Sequence, residues 1–141
     1  MNKYLWTAFL FSDPDQKLHC THKFMGKQTL DVMQQVGDIC NDYFKSNPFK
    51  GLEVQFDYED KFGPNKDIKV LRYSIFEDLS DKELKRKTWL LDLREELDIF
   101  YKDDFGFNPH ITTSEISLLH CKFVRYGLFW GDKCVNSWWA S

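Results

Sequence analysis

The 141 residues predict an α+β fold in which two antiparallel sheets flank a central cleft and helices cover their outer faces. Three observations predict it. The unit His-x-Thr occurs twice, as His19-Cys20-Thr21 and His110-Ile111-Thr112, one copy in each half of the chain. Each half also holds one stretch whose apolar residues recur at helical spacing. The remaining segments are short, apolar or alternating, and punctuated by Gly, Pro, Asn and Asp.

The elements follow in order. Tyr4 to Phe11 is a continuous apolar run and reads as a strand buried on both faces, closed by Ser12-Asp13-Pro14-Asp15. Leu18 to Phe24 reads as a second strand, ending at Gly26. Leu30, Met33, Val36, Cys40 and Phe44 mark a helix from about Thr29 to Phe44, stopped by Asn47-Pro48. From Leu52 to Glu59 apolar and polar residues alternate, so this is a strand with a solvated Glu53, Gln55, Asp57 and Glu59 face. Gly63-Pro64-Asn65 is a turn and Ile68 to Phe76 a strand. Ser80-Asp81-Lys82-Glu83 fits a capping box, opening a helix striped by Leu90, Leu93, Leu97 and Phe100. Asn108 to Ser114 carries the second motif, and Lys122 to Trp130 is a strand that turns at Gly131-Asp132 into a short last one. The order β-β-α-β-β-α-β-β suggests one domain over residues 1–141 with two pseudo-symmetric lobes; no linker or low-complexity stretch interrupts it.

Composition narrows the function. Nineteen basic against twenty-two acidic residues give a formal net charge of −3, which disfavours a long nucleic acid partner and favours a small one. Thirteen Phe, six Tyr and five Trp leave aromatics to spare for stacking on a base. Cys20, Cys40, Cys121 and Cys134 form no CxxC pair, and the first apolar run is too short to span a bilayer, so a soluble cytoplasmic protein with reduced thiols is expected. His19, Cys20, His22, His120 and Cys121 lack the short paired spacings of a zinc site, so no metal is expected.

In a strand, residues i and i+2 share a face, so each His-x-Thr presents an imidazole beside a hydroxyl. Two such pairs facing one cleft supply a general base, a general acid and two hydroxyl donors for a phosphate.

The arrangement resembles the 2H phosphoesterase superfamily, the LigT-like proteins. Leu18-His19-Cys20-Thr21-His22-Lys23-Phe24-Met25-Gly26 is similar to that family's first motif, and Asn108-Pro109-His110-Ile111-Thr112 to its second. His22 and Thr113 depart from it, standing where the family usually has aliphatic residues. The resemblance implies a bilobal 2H fold and phosphodiester cleavage without metal or other cofactor. It makes His19 and His110 the acid–base pair and Thr21 and Thr112 the phosphate-binding residues. Trp6, Lys23, Trp138 and Trp139 are candidate base-stacking or substrate contacts, a stacked base being worth about 1–3 kcal/mol.

Three substrate readings follow. The first is hydrolysis of cyclic oligonucleotide second messengers, as the phage anti-CBASS members of that superfamily do to evade host immunity. The second is an RNA-end enzyme opening 2′,3′-cyclic phosphates, or a ligase-like activity running that chemistry backwards. The third is a non-catalytic nucleotide-binding module. The acidic charge and the aromatic surplus favour the first.

Overall fold

The computed structural model describes residues 1–11, 18–56, 58–62, 64–66, 68–72, 89–102, 107, 109–112 and 119–140. It is a mixed α/β structure with antiparallel sheets. The elements are β1 (Lys3–Leu10), β2 (His19–Gln28), α1 (Leu30–Ser46), β3 (Leu52–Phe56), β4 (Tyr58–Phe62), β5 (Ile68–Arg72), α2 (Leu91–Glu96) running into a 3-10 turn (Leu97–Ile99), β6 (His110–Thr112), β7 (Leu119–Phe123), β8 (Arg125–Trp130) and β9 (Lys133–Trp139). They form a four-stranded sheet in the order β2-β1-β8-β9, a three-stranded sheet β4-β5-β6 and a pair β3-β7.

Two expected strands are each divided. The alternating run from Leu52 supplies two strands, and these pair with different partners, β3 with β7 and β4 with β5. The Lys122–Trp130 strand breaks at Val124, where the chain passes from β7 into β8. Val124 is tied into the larger sheet there: its N–H donates to Leu10 O at 3.0 Å, and its carbonyl accepts from Ala140 N at 2.7 Å. Hydrophobic alternation continues across such a switch of sheet, so sequence periodicity does not register it. The Ser80–Glu83 capping box and the end of the Ile68–Phe76 strand lie outside the described residues.

Helix α1 starts where its cap dictates. Thr29 is extended (φ −77°, ψ 166°) and its Oγ1 accepts from Val32 N at 3.3 Å, while Asp31 and Lys45 suit the helix dipole at its two ends. Its stripe of Val36, Cys40 and Phe44 is buried in the same core as Leu5, Phe9, Met25, Tyr126 and Leu128 of the four-stranded sheet. From the second helical stretch, Leu90, Leu93 and Leu97 join that core. Phe9 sits at its centre, with the rings of His22, Trp89, Phe123 and Tyr126 all 5–6 Å away. One face of the sheet is thereby sealed, and the other is left for the site. Among the described residues no helix is long and apolar enough to cross a membrane.

Candidate active site

Both His-x-Thr units are strand residues with a buried centre. In β2, Cys20 is fully buried while His19 and Thr21 are half-buried. In β6, Ile111 is fully buried while His110 is half-buried and Thr112 exposed. The middle residue anchors each strand in the core, and strand alternation then turns the imidazole and the hydroxyl outward together. β2 is the edge strand of its sheet, β6 is the edge strand of the three-stranded sheet, and the two approach within 8 Å Cα–Cα. The sheets therefore meet along the two motif strands.

Pairing across the four-stranded sheet fixes what shares the outward face. Leu10 lies opposite His19, Ala8 opposite Thr21, and Trp6 opposite Phe24. The Trp6–Phe24 match is possible because of a bulge at His22: Thr7 pairs with Lys23 and Ala8 with Thr21, leaving His22 without an opposite residue. A second irregularity follows at Met25-Gly26, where Gly26 takes φ +68°, a conformation that costs glycine little. Beside His19 and Thr21 this face opens a pocket of about 350 Å³, walled by Tyr4, Trp6, Phe24 and the Gly131-Asp132 turn.

No protein-family model and no curated protein sequence matches the chain. Solved structures do. E. coli LigT complexed with 3′-AMP superimposes with a TM-score of 0.67 at 11% identity, covering 100% of this chain and 99% of that one. The fold is that of LigT, the 2H phosphoesterase fold. A protein described as a phosphoesterase gives 0.63 at 11% identity over 99% of both chains. TT0787 of Thermus thermophilus gives 0.55 at 13% identity over 97% of both. At such identity the likeness is one of fold.

On this LigT-like scaffold the remaining candidates separate. Trp6 lies in the pocket and is held rigidly: its Nε1 donates to Gly131 O at 2.9 Å, and its ring stacks on Phe129 at 4.1 Å and 9°. It also meets His19 at 4.9 Å between centroids. Trp6 thus buttresses His19, and the open aromatic surface beside the motif belongs to Phe24 (42% exposed) and Tyr4 (51% exposed). Strand alternation from Thr21 puts Lys23 on the motif face and Phe24 in the core. The bulge exchanges them, which is why sequence reasoning missed Phe24.

Lys23 is accordingly corrected. It is 1% exposed, faces the core, and donates from Nζ to Asp98 in an ion pair, so its charge is spent inside the fold and not on a phosphate. Trp138 is corrected too. It faces the core side, packing on Phe44 and Tyr126 and donating from Nε1 to Asn41 Oδ1 at 3.0 Å. Trp139 is 57% exposed on the motif face, pairing with Arg125 at the sheet's far edge.

His22 is the counterpart of His19 on the sealed face. Its Nε2 is 2.9 Å from Trp89 O, and its Nδ1 is 2.7 Å from Tyr126 Oη. A carbonyl only accepts, so Nε2 carries the proton and Nδ1 accepts from the tyrosine. Burial, and then the Arg94 guanidinium, hold its pKa down at about 3, and burial keeps the Tyr126 hydroxyl protonated by raising its pKa well above the usual value. Arg94 Nε also donates to His22 O at 3.0 Å, so the bulge is pinned from both strand and helix. Cys40, also buried, has its thiol pushed up to about 12 by burial and by Glu96, which leaves it inert. Among the described residues no group of three or more His, Cys, Asp or Glu side chains could hold a metal.

Proposed function

We propose that the protein is a metal-independent phosphodiesterase that hydrolyses small cyclic oligonucleotides, with His19 and His110 as its acid–base pair. The observation that carries the reading is the approach of the motif strands: two His-x-Thr tripeptides, each with its middle residue buried, on neighbouring edge strands β2 and β6 of different sheets. One imidazole takes a proton from water as its oxygen bonds to phosphorus. The other gives a proton to the ribose oxygen as the P–O bond breaks. Thr21 and Thr112 hydroxyls donate to the nonbridging oxygens, where charge accumulates. Phe24 and Tyr4 offer a base a stacking surface beside that phosphate, and Trp6 keeps His19 in place. LigT's complexes with 3′-AMP and ATP support a nucleotide-sized ligand for this scaffold. The net charge of −3 favours a small substrate over a polymer. Such an activity fits a cytoplasmic role in disarming cyclic-nucleotide immunity, as in phage.

The test is turnover, with chelator present, of cyclic dinucleotides, cyclic trinucleotides, nucleoside 2′,3′-cyclic phosphates and a short RNA ending in a cyclic phosphate. Preferential cleavage of the cyclic di- or trinucleotides is the expected result. Turnover of the RNA end or the mononucleotides alone replaces the messenger reading with an RNA-end one. Tight binding without turnover makes the protein a nucleotide-binding module. Turnover that occurs only when chelator is left out refutes the mechanism.

A further inference from the structure

Arg125 stands on the same face of the sheet as His19, two strands away: His19 pairs with Leu10, and Leu10 with Arg125. Adjacent strands lie about 4.8 Å apart, so the two backbones are separated by roughly 10 Å across the sheet. Between them on this face lies Leu10, 7% exposed, with Gly127 at the next pair on β8. A Cβ at Gly127 would come within 2.6 Å of Leu10 Cδ1, so the Leu10 side chain packs directly over this glycine. The guanidinium is braced by Trp139, its Cζ 5.1 Å from the ring centroid. Its Nε is buried and has no hydrogen-bond partner among the described residues. Neither ion pair among the described residues involves it; those are Lys23–Asp98 and Lys69–Glu59.

A partly buried guanidinium without a carboxylate is costly unless an anion completes it. Arginine's planar fork suits a phosphate in particular. We propose that Arg125, braced by Trp139, is a second phosphate subsite, which holds the neighbouring phosphodiester of a substrate while the first is cleaved at the two histidines. The inference rests on the phosphodiesterase reading and sharpens it: the substrate carries at least two phosphates and lies across β1 toward β8. A nucleoside 2′,3′-cyclic phosphate, with one phosphate, does not reach this subsite.

The experiment compares Arg125→Gln and Arg125→Lys with the parent protein on a cyclic dinucleotide and on a nucleoside 2′,3′-cyclic phosphate, after thermal melts establish that both variants fold. With Arg125→Gln, kcat/KM for the cyclic dinucleotide should fall about ten- to hundredfold, mostly through KM, as expected for one charged hydrogen-bonding group. For the mononucleotide it should fall no more than about threefold, and Arg125→Lys should recover part of the loss. Equal losses on both substrates, or no loss on either, overturn the subsite. A second measurement separates this failure from failure of the catalytic reading. In a His19→Ala background, calorimetric titration with the cyclic dinucleotide should show Kd weakened by a similar factor when Arg125→Gln is added. That weakening supports the subsite even if no substrate is turned over, and unchanged or absent binding overturns it.

Discussion

The two faces of β2 carry similar residues in opposite states. On one, His19 and Thr21 border an open pocket; on the other, three residues on, His22 is locked neutral among Tyr126, Trp89 and Arg94. The same contrast holds for the next pair, since Lys23 is sealed into an ion pair while Phe24 faces out. Side-chain chemistry does not separate these residues. One extra residue in the ladder does, because it reverses which face every later side chain occupies. Two adjacent buried positions, His22 and Lys23, are the mark it leaves.

The sharpest way to break this contrast is to exchange the histidines' fates by mutation. His19→Ala or His110→Ala should lower turnover about 10⁴-fold or more, the full worth of a general acid or base, with the thermal melt unchanged. Thr21→Ala or Thr112→Ala should cost about 10²–10³-fold in kcat, the size of one lost transition-state donor. His22→Gln should instead reduce stability and leave turnover per folded molecule within a few-fold. Substantial activity surviving the loss of His19, or vanishing with His22 in a folded protein, would erase the distinction between the faces.

The ion pair on the sealed face gives the next effect. Asp98→Ala strands the Lys23 ammonium, whose side chain is fully buried, and should destabilise the fold by about 3–5 kcal/mol. The double change Lys23→Met with Asp98→Ala should recover much of that loss, because an apolar side chain then occupies the space without a charge. Urea midpoints measure both. If Lys23→Met alone weakened substrate binding in a stable protein, Lys23 would belong to the site after all.

Much of this was legible in the sequence, and the failures share a physical origin. The strand placement of the two His-x-Thr units was legible because i, i+2 spacing within a short strand needs only local geometry. Helix α1 was legible from its stripe and from Thr29. Lys23 is a plausible phosphate contact in the sequence, a cation two residues past Thr21, and no residue type in His22-Lys23-Phe24 announces the bulge that turns it into the core. The division of the Leu52 and Lys122 strands was hidden for a related reason: a strand that changes partners keeps its period of two. Trp138 and Trp139 had to differ, since alternation forbids burying both, but only the packing of Phe44 and Asn41 against Trp138 decides which is inside. Arg125 carried no local signal, because its significance lies in pairing with Leu10 across the sheet.

The smallest expected effect is a pH dependence that belongs to the sealed face alone. Unfolded, His22 titrates near its ordinary value of 6.5, whereas in the fold burial and Arg94 lower it to about 3. The native state therefore refuses a proton that the unfolded state accepts, so its contribution is complete above 6.5 and is lost as pH falls from 6.5 toward 3. At pH 5 the unfolded chain has gained about 1.5 pH units of protonation, or about 2 kcal/mol at 1.36 kcal/mol per unit. The informative quantity is a difference between two proteins. Between pH 8 and pH 5 the parent should lose about 2 kcal/mol more, from urea midpoints, than His22→Gln, which is less stable at pH 8 but has no imidazole to protonate. Parallel pH curves for the two proteins would mean that His22 gains its proton in the fold as readily as in the unfolded chain, Nδ1 then donating to Tyr126 Oη, and the neutral, fixed histidine behind the bulge would have to be abandoned.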